Sequence, residues 1–147
     1  MTEVKLFQDL IVHTTDHFTI AQDCEVPLPG FFIVAAKRKL RSLAEFTDAE
    51  TQEFMQLIRA VRNGMQDMLQ INTVYFFQNE DTEHNFHFWI FPRYVWMEQF
   101  GRKIESVKPI MNYSKEHFAT EEIIGKVRRV AEQMKSYLQC ALKNSRK

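Results

Sequence analysis

The stretch Glu83–Tyr94, EHNFHFWIFPRY, places two histidines, several large aromatic rings and a Pro-Arg pair in one short segment. Successive side chains of a β-strand point to opposite faces, so a strand over Asn85–Phe91 has two distinct sides. One side carries Asn85, His87 and Trp89, and the other carries Phe86, Phe88 and Ile90. The second set is strongly apolar and is expected to face the core. This strand is therefore predicted to pack on one side and to present an imidazole on the other.

Two further strands are predicted upstream of this stretch. His17–Asp23, HFTIAQD, is the first, and Phe31–Arg38, FFIVAAKR, is a continuous apolar run with a basic end. Between them Glu25–Gly30 contains two prolines and a glycine, which is typical of a turn. The two strands are expected to pair as a hairpin.

A long helix is predicted after the hairpin. Thr47–Glu50, TDAE, is a capping box in which the Thr47 hydroxyl accepts from the Glu50 amide and the Glu50 carboxylate reaches back. Apolar residues then recur at three- and four-residue steps until about Gln70. This core stripe consists of Phe54, Leu57, Ile58, Val61, Met65 and Met68. Ile71–Gln78 is rich in β-branched and aromatic residues, which predicts a third strand.

After Pro92 the chain is predicted to be irregular through Val107–Tyr113, and Thr120 then caps a last helix. The buried stripe of that helix is predicted to be Ile123, Val127, Val130, Met134, Leu138 and Ala141. The tail Lys143–Lys147 is expected to fray. Strands that form hairpins, combined with a few helices, favour the α+β class with an antiparallel sheet.

Length and composition restrict the possible functions. The 147 residues suffice for one domain, and a formal net charge of zero argues against binding of nucleic acid or of an anionic membrane. The N-terminal segment has no sustained apolar run, so neither a signal peptide nor a membrane span is expected. Cys24 and Cys140 have no metal-like spacing and are expected to be free thiols in a reducing compartment. A cytoplasmic protein is the expectation.

A protein-bound metal ion is not expected. His84 and His87 are three residues apart, which on a strand puts them on opposite faces and excludes a zinc clamp. His84 itself is expected to be solvated at the start of the strand. His13 and His17 could be neighbours on a helix, but the sequence offers no third ligand. His87 alone is compatible with a structural role, which is the commoner one, or with nucleophilic or acid-base chemistry near neutral pH.

The segment Asp16–Arg93 resembles the histidine triad family of nucleotide hydrolases and transferases. The resemblance covers just over half of the chain and follows the family's order of segments. The matching stretches are FTIAQD, VPLPG, FFIVAAKRKLRSL, FTDAETQEFMQLIRAV and NFHFWIFPR. It implies a single domain over residues 1–147, with a core at 16–93, an extension at 94–147 that ends in a helix, and an antiparallel sheet of about five strands with two main helices.

Alignment on Pro92 and Arg93 puts Asn85, His87 and Trp89 at the three positions where the family has histidines. The middle histidine is the family's nucleophile, which implies that His87 attacks the α-phosphorus of a nucleotide and forms a nucleotidyl-imidazole. At the first position the family uses the backbone carbonyl to orient the other ring nitrogen of the nucleophile. A change of side chain to Asn85 preserves that carbonyl. Trp89 replaces a histidine that contacts the phosphate or the leaving group, and an indole cannot deliver a proton to a leaving group.

The resemblance implies substrate contacts by Asn85 and Trp89 at the two altered triad positions, and by further residues elsewhere. Asp23 is at the position that holds the ribose hydroxyls, although a turn-initiating aspartate is an equal alternative. Lys39 is at a phosphate-side position, or is a solvated surface lysine. The connection before the central strand lacks the family's glycines, and its available polar groups are Gln78, Asn79 and Thr82. The acidic residues Glu80, Asp81 and Glu83 are expected to point to solvent. Phe18, Ile20 and Phe31 either line a purine pocket or belong to the core.

The implied function is hydrolysis or nucleotidyl transfer at the α-phosphate of a dinucleoside polyphosphate or a nucleotide conjugate. No cofactor is implied, although a polyphosphate substrate can bring magnesium with it. A homodimer is implied as well. Because two of the three histidines are replaced, a nucleotide-binding module with weak or no catalysis is the first alternative. A structural α+β domain with a chance aromatic strand is the second.

Overall fold

Five antiparallel strands form one sheet in the computed structural model, which describes residues 5–83 and 85–143. The strands are β1 (Ile11–Thr14), β2 (Phe18–Gln22), β3 (Phe32–Ala36), β4 (Val74–Phe77) and β5 (His87–Pro92), and their order across the sheet is β1-β2-β3-β5-β4. The α-helices are α1 (Asp48–Leu69), α2 (Val107–His117) and α3 (Glu121–Lys143). The predicted α+β class with an antiparallel sheet of five strands is confirmed.

The capping box at the start of α1 is present as predicted. The Thr47 hydroxyl accepts from the Glu50 amide at 3.1 Å, and the Glu50 carboxylate accepts from the Thr47 amide at 2.8 Å. Glu50 also accepts two hydrogen bonds from the Arg38 guanidinium, at 2.8 and 2.9 Å. This paired geometry connects the chain that leaves β3 to the first turn of α1.

The helix-side core fills the space between one face of the sheet and the helices α1 and α3. The α1 stripe is buried from Phe54 to Met65, and Met68 is partly buried. The α3 stripe is buried at Val127, Val130, Met134 and Leu138, while Ile123 and Ala141 are partly exposed. Phe86 and Ile90 of the central stretch belong to this core, so the apolar face of β5 is oriented as predicted.

A second core lies on the opposite face of the sheet. It comprises Val26, Leu28, Phe31, Phe91, Met97, Val107 and Ile110. Residues after Pro92 supply Met97, Val107 and Ile110, so the C-terminal extension folds back over one end of this face. We call this group the extension-side core.

Two sequence expectations about secondary structure were wrong. Val107–Tyr113 belongs to α2 and is not irregular; Pro109 is tolerated because it lies in the first helical turn, where the backbone amides have no partner within the helix. Ile11–Thr14 is a short edge strand that was not predicted from the sequence. His13 therefore lies on β1, and His17 precedes β2, where it contacts Glu53 at 3.2 Å. The two histidines are not helical neighbours.

Two expectations fall on residues outside those described: the solvation of His84 and the fraying of the tail at 144–147. Across the described residues, no helix is both long enough and apolar enough to cross a membrane.

Candidate functional site

His87 is the first residue of β5 and lies on the face of the sheet opposite the helix-side core. Its backbone pairs with Ala35 of β3, and the side chain is partly exposed. The His87 ring centroid is 5.9 Å from that of Trp89, the next residue on the same face. The strand alternation inferred from the sequence therefore holds, and His87 and Trp89 are brought together.

The extension-side core covers only one end of this face. Phe77 and Trp89 pack against this core and are partly exposed. The partly exposed side chains of four adjacent strands, which we call the open face, are Thr19, Ala21, Ile33, Ala35, Phe77, His87 and Trp89. Partly exposed side chains that converge on an imidazole are the features expected of a binding surface.

The Asn85 carboxamide contacts the protein's own backbone. Its Oδ1 accepts from the Leu40 amide at 2.7 Å, and its Nδ2 donates to the carbonyls of Ala36 at 2.7 Å and Arg38 at 3.0 Å. These bonds fix the segment that follows β3. The side chain of Asn85 therefore holds residues 36–40, and its contact with substrate stays a prediction.

Trp89 stacks on Phe77 of the edge strand β4. Their ring centroids are 5.4 Å apart with an interplanar angle of 15°, and the two residues are direct cross-strand partners. An indole offers one N–H donor and no titrating proton. Trp89 therefore supplies a flat aromatic surface beside His87.

Asp23 follows directly after β2 and is buried. Its Oδ2 accepts from the backbone amides of Glu25 at 3.1 Å and Val26 at 2.8 Å, so it closes the turn that the sequence predicts. Burial raises the pKa of Asp23, although these amides and the nearby Lys115 partly offset the effect. Lys115 of α2 also pairs with Glu25 at 3.7 Å, which brings the extension against this turn.

The predicted phosphate-side residues surround the other end of the open face. Lys39 is exposed and lies within the segment held by Asn85. The Gln78 amide donates to the carbonyls of Arg41 at 3.2 Å and Asn79 at 2.9 Å. Asn79 and Thr82 are exposed, as are Glu80, Asp81 and Glu83.

Phe18, Ile20 and Phe31 do not line an open pocket. Each has a relative exposure of 0%, and they belong to the two cores. Of the two interpretations offered by the sequence, the core assignment is therefore the right one. An apolar contact surface for a purine base therefore has to come from other residues.

Five residues of the open face were not predicted from the sequence: Thr19, Ala21, Ile33, Ala35 and Phe77. Strand alternation could have identified some of them. Once Trp89 is assigned to this face, its cross-strand partners on β3 and β4 lie on the same face. The strand order was needed to identify those partners, and no motif in this chain supplies it.

A cavity of about 720 Å³ opens elsewhere, between β1, the first turns of α1 and the end of α3. His13, Gln52, Glu53 and Lys143 are among its lining residues, and none of the predicted site residues line it. Glu53 is engaged there by the Thr15 hydroxyl and by His17. We place the candidate site at His87 because the sequence resemblance assigns the nucleophile to that residue and assigns no role to the residues that line this cavity. Within residues 5–83 and 85–143, no group of three or more His, Cys, Asp or Glu side chains is arranged to hold a metal ion.

Comparison by sequence gives no relative: no protein-family model and no curated protein matches the chain significantly. Comparison by structure identifies similar proteins. The chain is similar to the NitFhit protein of C. elegans, with a TM-score of 0.55 and 20% identity over 74% of this chain. It spans 27% of the NitFhit chain.

Two shorter proteins match over most of their length. A hypothetical histidine triad nucleotide-binding protein from Sulfolobus tokodaii has a TM-score of 0.60 at 14% identity, covering 88% of this chain and 85% of that one. A Hit-like protein involved in cell-cycle regulation from Bartonella henselae has a TM-score of 0.59 at 16% identity, covering 88% and 86%. The chain therefore has the fold of the histidine triad proteins, as its sequence resemblance implied.

Proposed function

We propose that this protein is a nucleotide hydrolase or nucleotidyl transferase that uses His87 as its nucleophile. The observation that carries the proposal is the position of His87 on the open face of β5, within a histidine triad fold. An imidazole is a competent nucleophile near neutral pH because a large fraction of it is unprotonated.

The proposed reaction has two steps. A neutral ring nitrogen of His87 attacks the α-phosphorus and forms a P–N bond, while the bond from phosphorus to the leaving group breaks and the leaving group takes the electron pair. Water, or another acceptor, then attacks the same phosphorus, the P–N bond breaks, and the imidazole is restored. Two substitutions of moderate barrier replace one difficult substitution.

Other residues are proposed to hold the substrate. Asp23 uses its second carboxylate oxygen for a ribose hydroxyl, since Oδ2 is already occupied by backbone amides. Lys39 supplies positive charge to the phosphates. Asn85 positions Lys39 by fixing the backbone on both sides of it. Gln78, Asn79 and Thr82 are the remaining candidates for polar contacts to phosphate.

The presence of Trp89 at a triad position determines which leaving groups the proposed enzyme can use. Because an indole carries no proton for the leaving group, the proposed enzyme is best suited to leaving groups that depart as stable anions. A dinucleoside polyphosphate provides one, and it can bring its own magnesium ion. Conjugates with poor leaving groups are expected to react slowly.

The direct test is turnover. The parent protein is incubated with a diadenosine polyphosphate and with an adenylate phosphoramidate, and the products are followed by chromatography. His87→Ala is expected to abolish product formation, whereas His13→Ala, which removes a histidine on β1, should leave it unchanged. Equal turnover by His87→Ala and the parent would exclude His87 as the nucleophile.

A nucleotide-binding module without turnover is the second candidate, and the replacement by Trp89 favours it. In that case the parent forms no product, yet its melting temperature rises with nucleotide. Ligand at a hundred times its Kd stabilises a protein by about 2.7 kcal/mol. A structural domain would show neither product nor thermal stabilisation.

We also propose a cytoplasmic homodimer. Two sheet edges, β1 and β4, are available for association, and Ile11 and Phe76 on them are large exposed apolar residues. Light scattering at micromolar concentration should report twice the chain mass. A monomer at that concentration would overturn the dimer.

A further inference from the structure

The candidate site needs an apolar surface for the base of a nucleotide. Phe18, Ile20 and Phe31 cannot provide it because they are fully buried. The partly exposed rings of the open face are those of Phe77, His87 and Trp89. A flat surface for a planar ligand therefore has to be sought among these rings.

Phe77 and Trp89 form one stacked aromatic pair, and both residues also pack against the extension-side core. Their rings are nearly parallel, with an interplanar angle of 15° and centroids 5.4 Å apart. They are direct partners across β4 and β5, so backbone pairing holds the stack as well as ring contact. A ligand that stacks on Trp89 would meet a side chain whose orientation is already fixed, which reduces the entropy lost on binding.

On the side away from Phe77, the cross-strand neighbours of Trp89 have small or medium-sized side chains. The partner of Trp89 across β5 and β3 is Ile33, and the partner of Ile33 on β2 is Ala21. The neighbouring row of the same face runs from His87 to Ala35 and Thr19. Side chains on this flank are thus much smaller than an indole. These side chains offer no ring for stacking, so within this part of the face the aromatic surface comes from Trp89 and Phe77.

We propose that Trp89, supported by Phe77, is the stacking platform for the base of the nucleotide whose phosphate His87 attacks. The inference rests on the proposed function for the identity of the ligand. The His87 and Trp89 ring centroids are 5.9 Å apart, and a base is joined to its α-phosphate through a single ribose, so one nucleotide can reach both. Trp89, which replaces a triad histidine, would then bind the nucleobase and would not act as an acid.

Base selectivity is expected to be weak. Every nucleobase has a π-face, and stacking on an aromatic side chain is tolerant of base identity. Larger rings overlap more with an indole, so purines should bind more tightly than pyrimidines. An aromatic leaving group has the same chemistry and could use the same surface, so the test includes ligands of both kinds.

Tryptophan fluorescence provides the test. The chain contains two tryptophans, and Trp96 lies in the extension against Phe100 and Phe118, so Trp96→Phe leaves Trp89 as the only indole. This single-tryptophan protein is titrated with AMP, with ribose 5-phosphate, which lacks the base, and with phenyl phosphate, which lacks the nucleoside. Trp89→Phe and Trp89→Leu are compared with the parent by calorimetry, after circular dichroism has shown that each is folded.

AMP is expected to quench Trp89 fluorescence, whereas ribose 5-phosphate is not. Trp89→Leu should weaken AMP binding roughly ten-fold while its affinity for ribose 5-phosphate is unchanged, and Trp89→Phe should recover most of the loss. Quenching by phenyl phosphate but not by AMP would assign the platform to an aromatic leaving group and overturn its assignment to the base. AMP binding that leaves Trp89 fluorescence and the Trp89→Leu affinity unchanged, or no AMP binding at all, would overturn the platform itself.

These outcomes are separable from the failure of the proposed function. Turnover that depends on His87 without any effect of Trp89 on AMP affinity would keep the reaction and remove the platform. Quenching by AMP in a protein with no turnover would keep the platform and remove the reaction.

Discussion

Asn85 uses its entire side-chain amide to hold the segment that follows β3. Its three hydrogen bonds go to backbone groups of Ala36, Arg38 and Leu40, more than forty residues earlier in the chain. The face on which His87 and Trp89 lie was predictable from strand alternation, whereas Asn85 precedes β5. The partners of Asn85 were not, because bonds to a distant loop depend on tertiary structure that no local pattern encodes.

Asn85→Ala should destabilise the protein by roughly 1–3 kcal/mol, because the partly buried Ala36 carbonyl and Leu40 amide lose their partner, as does the exposed Arg38 carbonyl. Urea denaturation gives the free energy of unfolding. Asn79→Ala is the control: Asn79 is an exposed residue of the neighbouring connection, and its loss should change stability by no more than about 0.5 kcal/mol. Equal effects of the two substitutions would contradict the stabilising role of the Asn85 hydrogen bonds.

Glu50 should make stability depend on pH. Its side chain is 2% exposed, and hydrogen bonds from Arg38 and then from the Thr47 amide lower its pKa from 4.5 to about 2. Because the folded pKa is below the unfolded one, the stabilisation is complete above pH about 4.5 and is lost as the pH falls towards about 2.

Urea denaturation of the parent and of Glu50→Gln at several pH values checks this expectation. The glutamine does not titrate, so the stability difference between the two proteins should shrink as the pH is lowered through that range. A difference that stays constant from neutral pH to pH about 2.5 would show that the carboxylate charge is not what stabilises the start of α1.

At the scale of elements, the long helices were the most predictable part of the fold. Their caps and apolar stripes are local signals, and the Thr47–Glu50 box and the Thr120 cap are both present. β1 and α2 were missed for different reasons: β1 has only four residues, and Pro109 masks the start of α2. The close contact of α1 with α3 was not predictable, since it depends on how two distant stripes meet.

Gly64 lies where α1 packs against α3, and it tests that contact. A Cβ at this position would come within 2.8 Å of Tyr137 Cδ1 and 2.9 Å of Met134 Sδ. Gly64→Ala should therefore destabilise the protein by about 1–3 kcal/mol, despite the higher helix propensity of alanine.

Gly125 of α3 is the matched control for Gly64. The nearest atom to its added Cβ is Arg129 Nη1 at 3.4 Å, the end of a flexible side chain. Gly125→Ala should stabilise by up to about 1 kcal/mol. If both substitutions stabilise the protein in thermal melts, the close packing of α1 against α3 at Gly64 is contradicted.

At the scale of the whole molecule, one sheet supports two cores. Ile90 of β5 belongs to the helix-side core and Phe91 to the extension-side core, so the two cores share a backbone. The extension covers one end of the second face and leaves His87 in the open part. The sequence resemblance, which ends at Arg93, carried no information about this arrangement.

Because of this shared strand, the two cores are expected to unfold together. Ile110→Ala in the extension-side core, where Ile110 is 0% exposed, should cost about 2–4 kcal/mol. Tryptophan fluorescence and far-ultraviolet circular dichroism should report a single coincident transition. Two separated transitions would mean that the extension folds as an independent unit.

The central claim is that His87 carries the nucleotide during the reaction, and intact mass spectrometry tests it most directly. The parent and His87→Ala are mixed briefly with nucleotide substrates and quenched without acid, because a P–N bond to imidazole is labile in acid. The account predicts a nucleotidyl adduct on the parent and none on the variant. Turnover by the parent without any adduct, or the same adduct on His87→Ala, would contradict it.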